Sequence, residues 1–141
     1  MRVFISQPMR GRTIEQIQER RDQICEMLVE VFNKDIEFID SINKDEELQK
    51  KGSIAMLGHS ISLMADADLV VVDDVEFGYA GVEIESNVAW NYGIPKLTMY
   101  ELIPLYAAVK GMRGEEYRDF DMKAKRYYSD HEDLAVVGDV K

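Results

Sequence analysis

Two short stretches of this chain gather side chains with chemical capacity. Ser6-Gln7-Pro8-Met9-Arg10-Gly11-Arg12-Thr13 places two guanidinium groups and a hydroxyl between an apolar run and the start of a helical pattern. The free N–H groups of a first helical turn and the positive end of its dipole favour an anion there, and Arg10 is placed to hold a phosphate or contact a ribose. Read as a plain connecting loop, the same residues leave Thr13 as a cap and Arg12 in solvent. The second stretch, Asp73 to Glu85, carries five carboxylates: Asp73, Asp74, Glu76, Glu83 and Glu85. Glu83 and Glu85 stand two apart on a helical pattern, so they face different ways and only one looks easily into a shared cleft. Gly81, Glu85, Val88, Ala89 and Tyr92 share a face, and the small Gly81 and Ala89 would let a ligand approach the Glu85 carboxylate. A helix's first turns favour the ionised form, which is what a nucleophile needs. The alternative is a turn at Asp73-Asp74 and two solvated helix carboxylates.

Other chemistries have less support. Neither G-x-G-x-x-G nor G-x-x-x-x-G-K follows the first apolar run, so kinase and dinucleotide-dependent readings lose their main signature. The two histidines, His59 and His131, show no metal-ligand spacing, and no metal or other cofactor is expected. His59 reads as a partly buried, hydrogen-bonded residue, Trp90 as core, and the single cysteine, Cys25, as a buried core thiol without a disulfide partner.

These residues must be positioned by elements legible in the hydrophobic period. Val3-Phe4-Ile5 is strand-like, and Thr13-Ile14-Glu15-Gln16 has the form of a capping box opening a helix along Ile14, Ile17, Ile24, Leu28 and Val31. Ile36 to Ile39 reads as a second strand, Asp40 to Lys51 as a polar loop with at most one helical turn, and Ser53 to Ala65 as a helix striped by Ile54, Leu57, Ile61 and Met64. Asp68 to Asp73 is an almost wholly apolar strand, expected at the centre of a sheet covered on both faces. Gly81 to Tyr92 is a helix closed by Gly93 and Pro95, and Leu97 to Tyr100 is a fourth strand. Strands alternating with helices predict an α/β fold, a doubly wound (Rossmann-like or flavodoxin-like) parallel sheet of four to five strands with helices on both faces. Ligands in such sheets sit beyond the strands' carboxyl ends, which points to Ser6–Thr13, Asp73–Gly81 and Tyr100–Leu102. Beyond Leu102 the pattern loosens. Residues 113–126 are charge-rich with helical character, and 127–141 reads as an arm, a last strand through residues 134–137, or a disordered tail.

At 141 residues and 46% apolar composition the chain fits a single core. Its 27 acidic and 17 basic side chains give a net charge of -10, which repels nucleic acid and anionic lipid surfaces. No apolar run reaches the roughly 18 residues of a membrane span and no signal-peptide pattern opens the chain, so a cytoplasmic protein is expected.

Residues 1–100 resemble the nucleoside 2-deoxyribosyltransferase superfamily, which includes deoxynucleoside 5'-monophosphate N-glycosidases and phage-associated relatives. The resemblance is carried by Val3-Phe-Ile-Ser-Gln-Pro-Met-Arg-Gly11, by Ala67-Asp-Leu-Val-Val-Val72, and by Gly81-Val-Glu-Ile-Glu85-Ser-Asn-Val-Ala89 with Gly93-Ile-Pro95. It implies cleavage of an N-glycosidic bond, by hydrolysis or transfer, with Glu85 as nucleophile and a glycosyl-enzyme intermediate. It also implies that Ser6, Gln7, Met9, Arg10, Gly11, Tyr79 and Gly81 bind substrate and that the chain assembles as a homo-oligomer. Three positions depart from the family. Its aspartate on the helix before the third strand falls at Ser60, with His59 adjacent, so either His59 serves as acid/base or catalysis is lost. Asn87 replaces a glycine, and Tyr79 a serine of the phosphate loop.

The expected activity is therefore on a nucleoside or nucleoside 5'-monophosphate, with Glu85 attacking the anomeric carbon and Asp73 or Asp74 orienting the base or protonating it as it leaves. The alternative is a catalytically silent nucleotide-binding or sensing module in the same cleft. A third, weaker reading is an interaction protein built on residues 101–141, which lie beyond the resemblance as a carboxyl-terminal extension.

Overall fold

A computed structural model describes residues 1–42 and 44–130. The elements in chain order are β1 (Arg2–Ser6), α1 (Ile14–Phe32), β2 (Glu37–Phe38), α2 (Glu46–Lys51), α3 (Ser53–Met64), β3 (Leu69–Val72), α4 (Ala80–Asn91), β4 (Lys96–Thr98), α5 (Met99–Val109), α6 (Glu115–Lys125) and α7 (Tyr127–Asp130). All four strands are parallel, in the order β2-β1-β3-β4. The chain steps from β1 out to β2 and then crosses to β3 on the other side of β1. That reversal opens a crevice beyond the carboxyl ends of β1 and β3.

The alternation of side chains along β1 and β3 builds two cores. Val3, Ile5, Leu69 and Val71 face Ile24, Met27 and Leu28 of α1, Met99, Leu102 and Ile103 of α5, and Tyr127 and Tyr128 of α7. Phe4, Val70 and Val72 face the other way, onto Met64 of α3 and Val82 and Ala89 of α4. All four residues of β3 are buried, as expected of a strand covered on both faces. The fold class read from the sequence is therefore the one observed.

Three boundaries differ from expectation for local reasons. The fourth strand stops at Thr98 rather than Tyr100. Thr98 forms a capping box with Glu101 and turns Met99 and Tyr100 into the first turn of α5. Asp45 caps Glu47 N–H and organises the six-residue α2 where a loop with one helical turn was expected. The packing also continues past residue 100: Leu102, Ile103, Tyr127 and Tyr128 belong to the same core as β1 and β3. The limit at residue 100 marks the end of the family resemblance, not of the core. The expected strand through residues 134–137 and His131 lie outside the described residues. The box at Thr13 and Gln16 forms as expected. Cys25 is half-buried against the core, and burial pushes its thiol up to about 11, which leaves it unreactive at neutral pH. Trp90 is 77% exposed on the outer side of α4 rather than in the core. Among the described residues no helix is long and apolar enough to cross a membrane.

Candidate active site

A cleft of about 290 Å³ lies at the switch point. One wall is the loop after β1, with Gln7, Pro8, Met9 and Arg10. A second is the start of α4, with Tyr79, Ala80, Gly81, Ile84 and Glu85. The third comes from the β2 side, with Ser41 and with Ser53, Ile54 and Leu57 of α3. Its walls are mostly apolar, with a few polar groups converging, the usual make-up of a small-molecule site.

Glu85 is the acid of this cleft. Val82, Glu85 and Ala89 form the buried stripe of α4, so helical period turns Glu85 onto the sheet and leaves Glu83 exposed. Strand alternation points Ser6, the last residue of β1, to the same face, and Ser6 Oγ donates to Glu85 Oε1 at 2.7 Å. Oε2 takes no hydrogen bond from the described residues. Burial raises the Glu85 carboxyl to about 7, against a smaller lowering by Ser6. The sequence reading expected a helix start to favour the anion, but Glu85 sits in the second turn of α4, where the dipole has faded and desolvation dominates. Replacing Ser6 by alanine is expected to raise the Glu85 carboxyl further, visible as a later side-chain titration by NMR. An unchanged or earlier titration would show that the Ser6 bond does not act on the charged form.

The pH dependence of folding follows from the same shift. The folded protein holds the Glu85 proton up to about pH 7 while the unfolded chain releases it near 4.5. Stability from this group is therefore full below 4.5 and is lost as pH rises to 7, on the order of 3 kcal/mol in all. Urea unfolding of the parent and Glu85→Gln proteins from pH 4 to 8 checks this. The difference between them should grow with pH in favour of glutamine.

The remaining residues fall into place unevenly. Arg10 is exposed at the rim and donates to Gly78 O at 3.2 Å, tying the β1 loop to the β3 loop. Gly11 makes the left-handed turn (φ 77°) that lets Arg12 N–H bond back to Met9 O, and it does not line the cleft. Arg12 donates to Tyr79 Oη at 3.3 Å and lies over the Tyr128 ring, so it braces the cleft wall. Gln7 is buried, with Nε2 donating to Ile17 O and Oε1 without a partner among the described residues.

Four expectations need correction. Asp73 does not accompany Glu85: alternation along β3 sends it to the opposite face, fully buried and held by Arg20 through two hydrogen bonds and by Tyr128 Oη. Asp74 is half-buried in an adjoining crevice with Glu83, Lys96 and Tyr100, shares only Tyr79 and Val82 with the cleft wall, and accepts from Met99 N–H. Burial raises its carboxyl above the ordinary range. His59 is exposed, and neither it nor Ser60 lines the cleft. The cleft takes only the first turns of α3, and Ser60 lies about 10 Å further along that axis than Ser53. Tyr92, expected on the face of Glu85, is 80% exposed beyond the end of α4.

Four residues escaped the sequence reading: Ser41, Ser53, Arg20 and Arg21. The two arginines left a signal, because they stand three and four residues after Ile17 and so fall on the buried stripe of α1. Gly81 keeps the cleft open: a Cβ there would meet only Leu57 Cδ1, at 3.9 Å across the opening. Gly81→Leu is expected to fill it, weakening ligand binding at least about tenfold. Thermal stability should hold or rise, since leucine is the better helix former.

No family model matches the chain, and no curated protein or solved structure matches it either.

Proposed function

We propose that the chain cleaves the N-glycosidic bond of a nucleoside or nucleoside 5'-monophosphate. The observation that carries this reading is a buried carboxyl at the switch-point cleft, with one oxygen held by Ser6 and the other free of hydrogen bonds from the described residues. Glu85 Oε2 would attack the anomeric carbon as the carbon–nitrogen bond breaks. The bonding pair leaves with the base, which takes up a proton, and a glycosyl ester on Glu85 remains. Water or a second base then displaces Glu85 and restores the carboxylate. A poorly solvated carboxylate attracts the positive charge that develops on the sugar more strongly than one in water, so the desolvation that raises its pKa is offset in the transition state. Neither aspartate lines the cleft, since Asp73 is buried across the sheet and Asp74 lies in the adjoining crevice, so the departing base takes its proton from water. The resemblance of Gly81, Glu85 and Ala89 to the deoxyribosyltransferases supports the same assignment.

A second reading, a nucleotide-binding module without turnover, is favoured by one observation: Glu85 is the sole carboxyl among the described residues lining the cleft. Incubation with a panel of nucleosides and nucleoside monophosphates, followed by chromatography, separates the two. Released base that disappears in Glu85→Gln supports the enzyme. Ligand-dependent thermal stabilisation without released base supports the module. For the enzyme, kcat/KM should rise with pH through about 7 as Glu85 ionises.

A further inference from the structure

Four acidic or basic side chains are buried among the described residues: Arg20, Arg21, Asp73 and Glu85. Three have an evident resolution. Arg20 and Asp73 neutralise one another, and Glu85 can take a proton. Arg21 has neither. It is 4% exposed, cannot lose its charge, and has no carboxylate within ion-pair distance among the described residues. Its hydrogen bonds go to two neutral acceptors, Ile39 O and Ser41 Oγ. Asp22 and Asp40 contribute to its field from exposed positions. A buried cation without a counter-ion is costly, so an anion that reached it would be held strongly.

The path to such an anion runs through Ser41. Ser41 is 3% exposed and lines the cleft. Because Ser41 Oγ accepts from Arg21, its O–H is left to donate, and it finds no acceptor among the described residues. Ser53 lines the same cleft as the first residue of α3, after Gly52, which has no side chain to cap the helix. Ser53 and Ile54, in the first turn of that twelve-residue helix, line the cleft, and the first-turn N–H groups have no side-chain cap. Arg10, the cation on the β1 side, is exposed and already tied to Gly78 O.

We infer that the β2–α3 end of the cleft is a phosphoryl-binding subsite, in which Ser41 and Ser53 donate to the phosphate oxygens and Arg21 supplies the charge from behind Ser41. It is separate from the loop at residues 6–11, where the sequence reading placed an anion. Arg21 and Ser41 thus take the part expected of Arg10. The subsite rests on the glycosidic reading only for the remainder of the ligand being a nucleoside; its phosphate chemistry is independent of Glu85.

The first probe is inorganic phosphate at constant ionic strength, read by thermal shift and by 31P line broadening on the full chain. Phosphate should stabilise the parent protein, and Ser41→Ala with Ser53→Ala should weaken its binding about tenfold, as loss of charge-assisted hydrogen bonds does. Arg21→Met should remove the response. Because Arg21 is buried and its variant is open to misfolding, the serine variants, which leave it in place, decide the matter. Arg10→Ala should keep most of the response. Phosphate binding unchanged in the double serine variant, or abolished by Arg10→Ala alone, overturns the subsite. A second comparison, of a nucleoside with its monophosphate, separates this from the glycosidic reading. Phosphate binding without base release leaves the subsite standing and removes the enzyme. Base release equally fast for both substrates, with no phosphate response, does the opposite.

Discussion

Glu85→Gln is expected to lower base release by roughly 10³-fold or more, as removal of a nucleophile does, while the protein stays folded and gains stability above pH 7. Glutamine keeps the shape of the side chain, and its Oε1 can still accept from Ser6 Oγ, so the 2.7 Å contact survives. What disappears is the negative charge and the electron pair that would bond to the anomeric carbon. The gain in stability has a separate cause: the parent holds a carboxyl that burial raises to about 7, and at pH 8 it must carry that charge in a poorly solvated place. Loss of turnover together with a higher melting temperature at pH 8 is therefore the signature of an acid kept for function against stability. Turnover within tenfold of the parent would remove Glu85 from the chemistry. A melting temperature that fell at pH 8 would contradict its burial as an isolated carboxyl.

Asp73→Ala is expected to cost about 3–5 kcal/mol, the usual result of removing one member of a buried ion pair. For a chain of this size that is a fall in melting temperature of at least about 10 °C. Arg20 would be left 2% exposed without its counter-charge, and Tyr128 would lose the acceptor that pins α7 to the end of β3. The rings of Tyr127 and Tyr128 lie against the Arg20 guanidinium, so the cluster holds α1, β3 and α7 together. The double variant Arg20→Met with Asp73→Leu removes both charges and should be markedly more stable than Asp73→Ala alone. Calorimetry of the three proteins tests this. A loss below about 1 kcal/mol in Asp73→Ala would mean that the cluster is not a structural centre, and the two aspartates would again be open to equal roles.

These outcomes divide along a line that runs through particular residues. The alternation of short apolar runs with helical stripes was enough for the parallel sheet, because burial on both faces writes itself into Leu69 to Val72 as a continuous apolar run. Thr13 and Gln16 announced their cap, since a capping box is a contact over three residues. Glu83 and Glu85 were set on different faces because two residues on a helix turn a side chain by more than a right angle, and the resemblance together with Gly81 and Ala89 favoured Glu85. The roles of the two aspartates were not separable. Asp73 and Asp74 look alike in sequence, and only register on β1 and the arrival of Arg20 and Tyr128, 53 and 55 residues away, make one a structural ion and leave the other in a crevice. Arg21 and Ser41 are likewise joined across 20 residues.

By itself, then, the sequence determined the alternating layers, the parallel kind of the sheet and the opposed directions of Glu83 and Glu85, all of which depend on periods of two and of 3.6 residues along a single segment. Tertiary structure decided which charges are neutralised, which carboxyl is raised, which hydroxyls line the cleft and that α5 and α7 complete the core. Those depend on distances between segments and on water removed by packing, and a one-dimensional pattern carries neither.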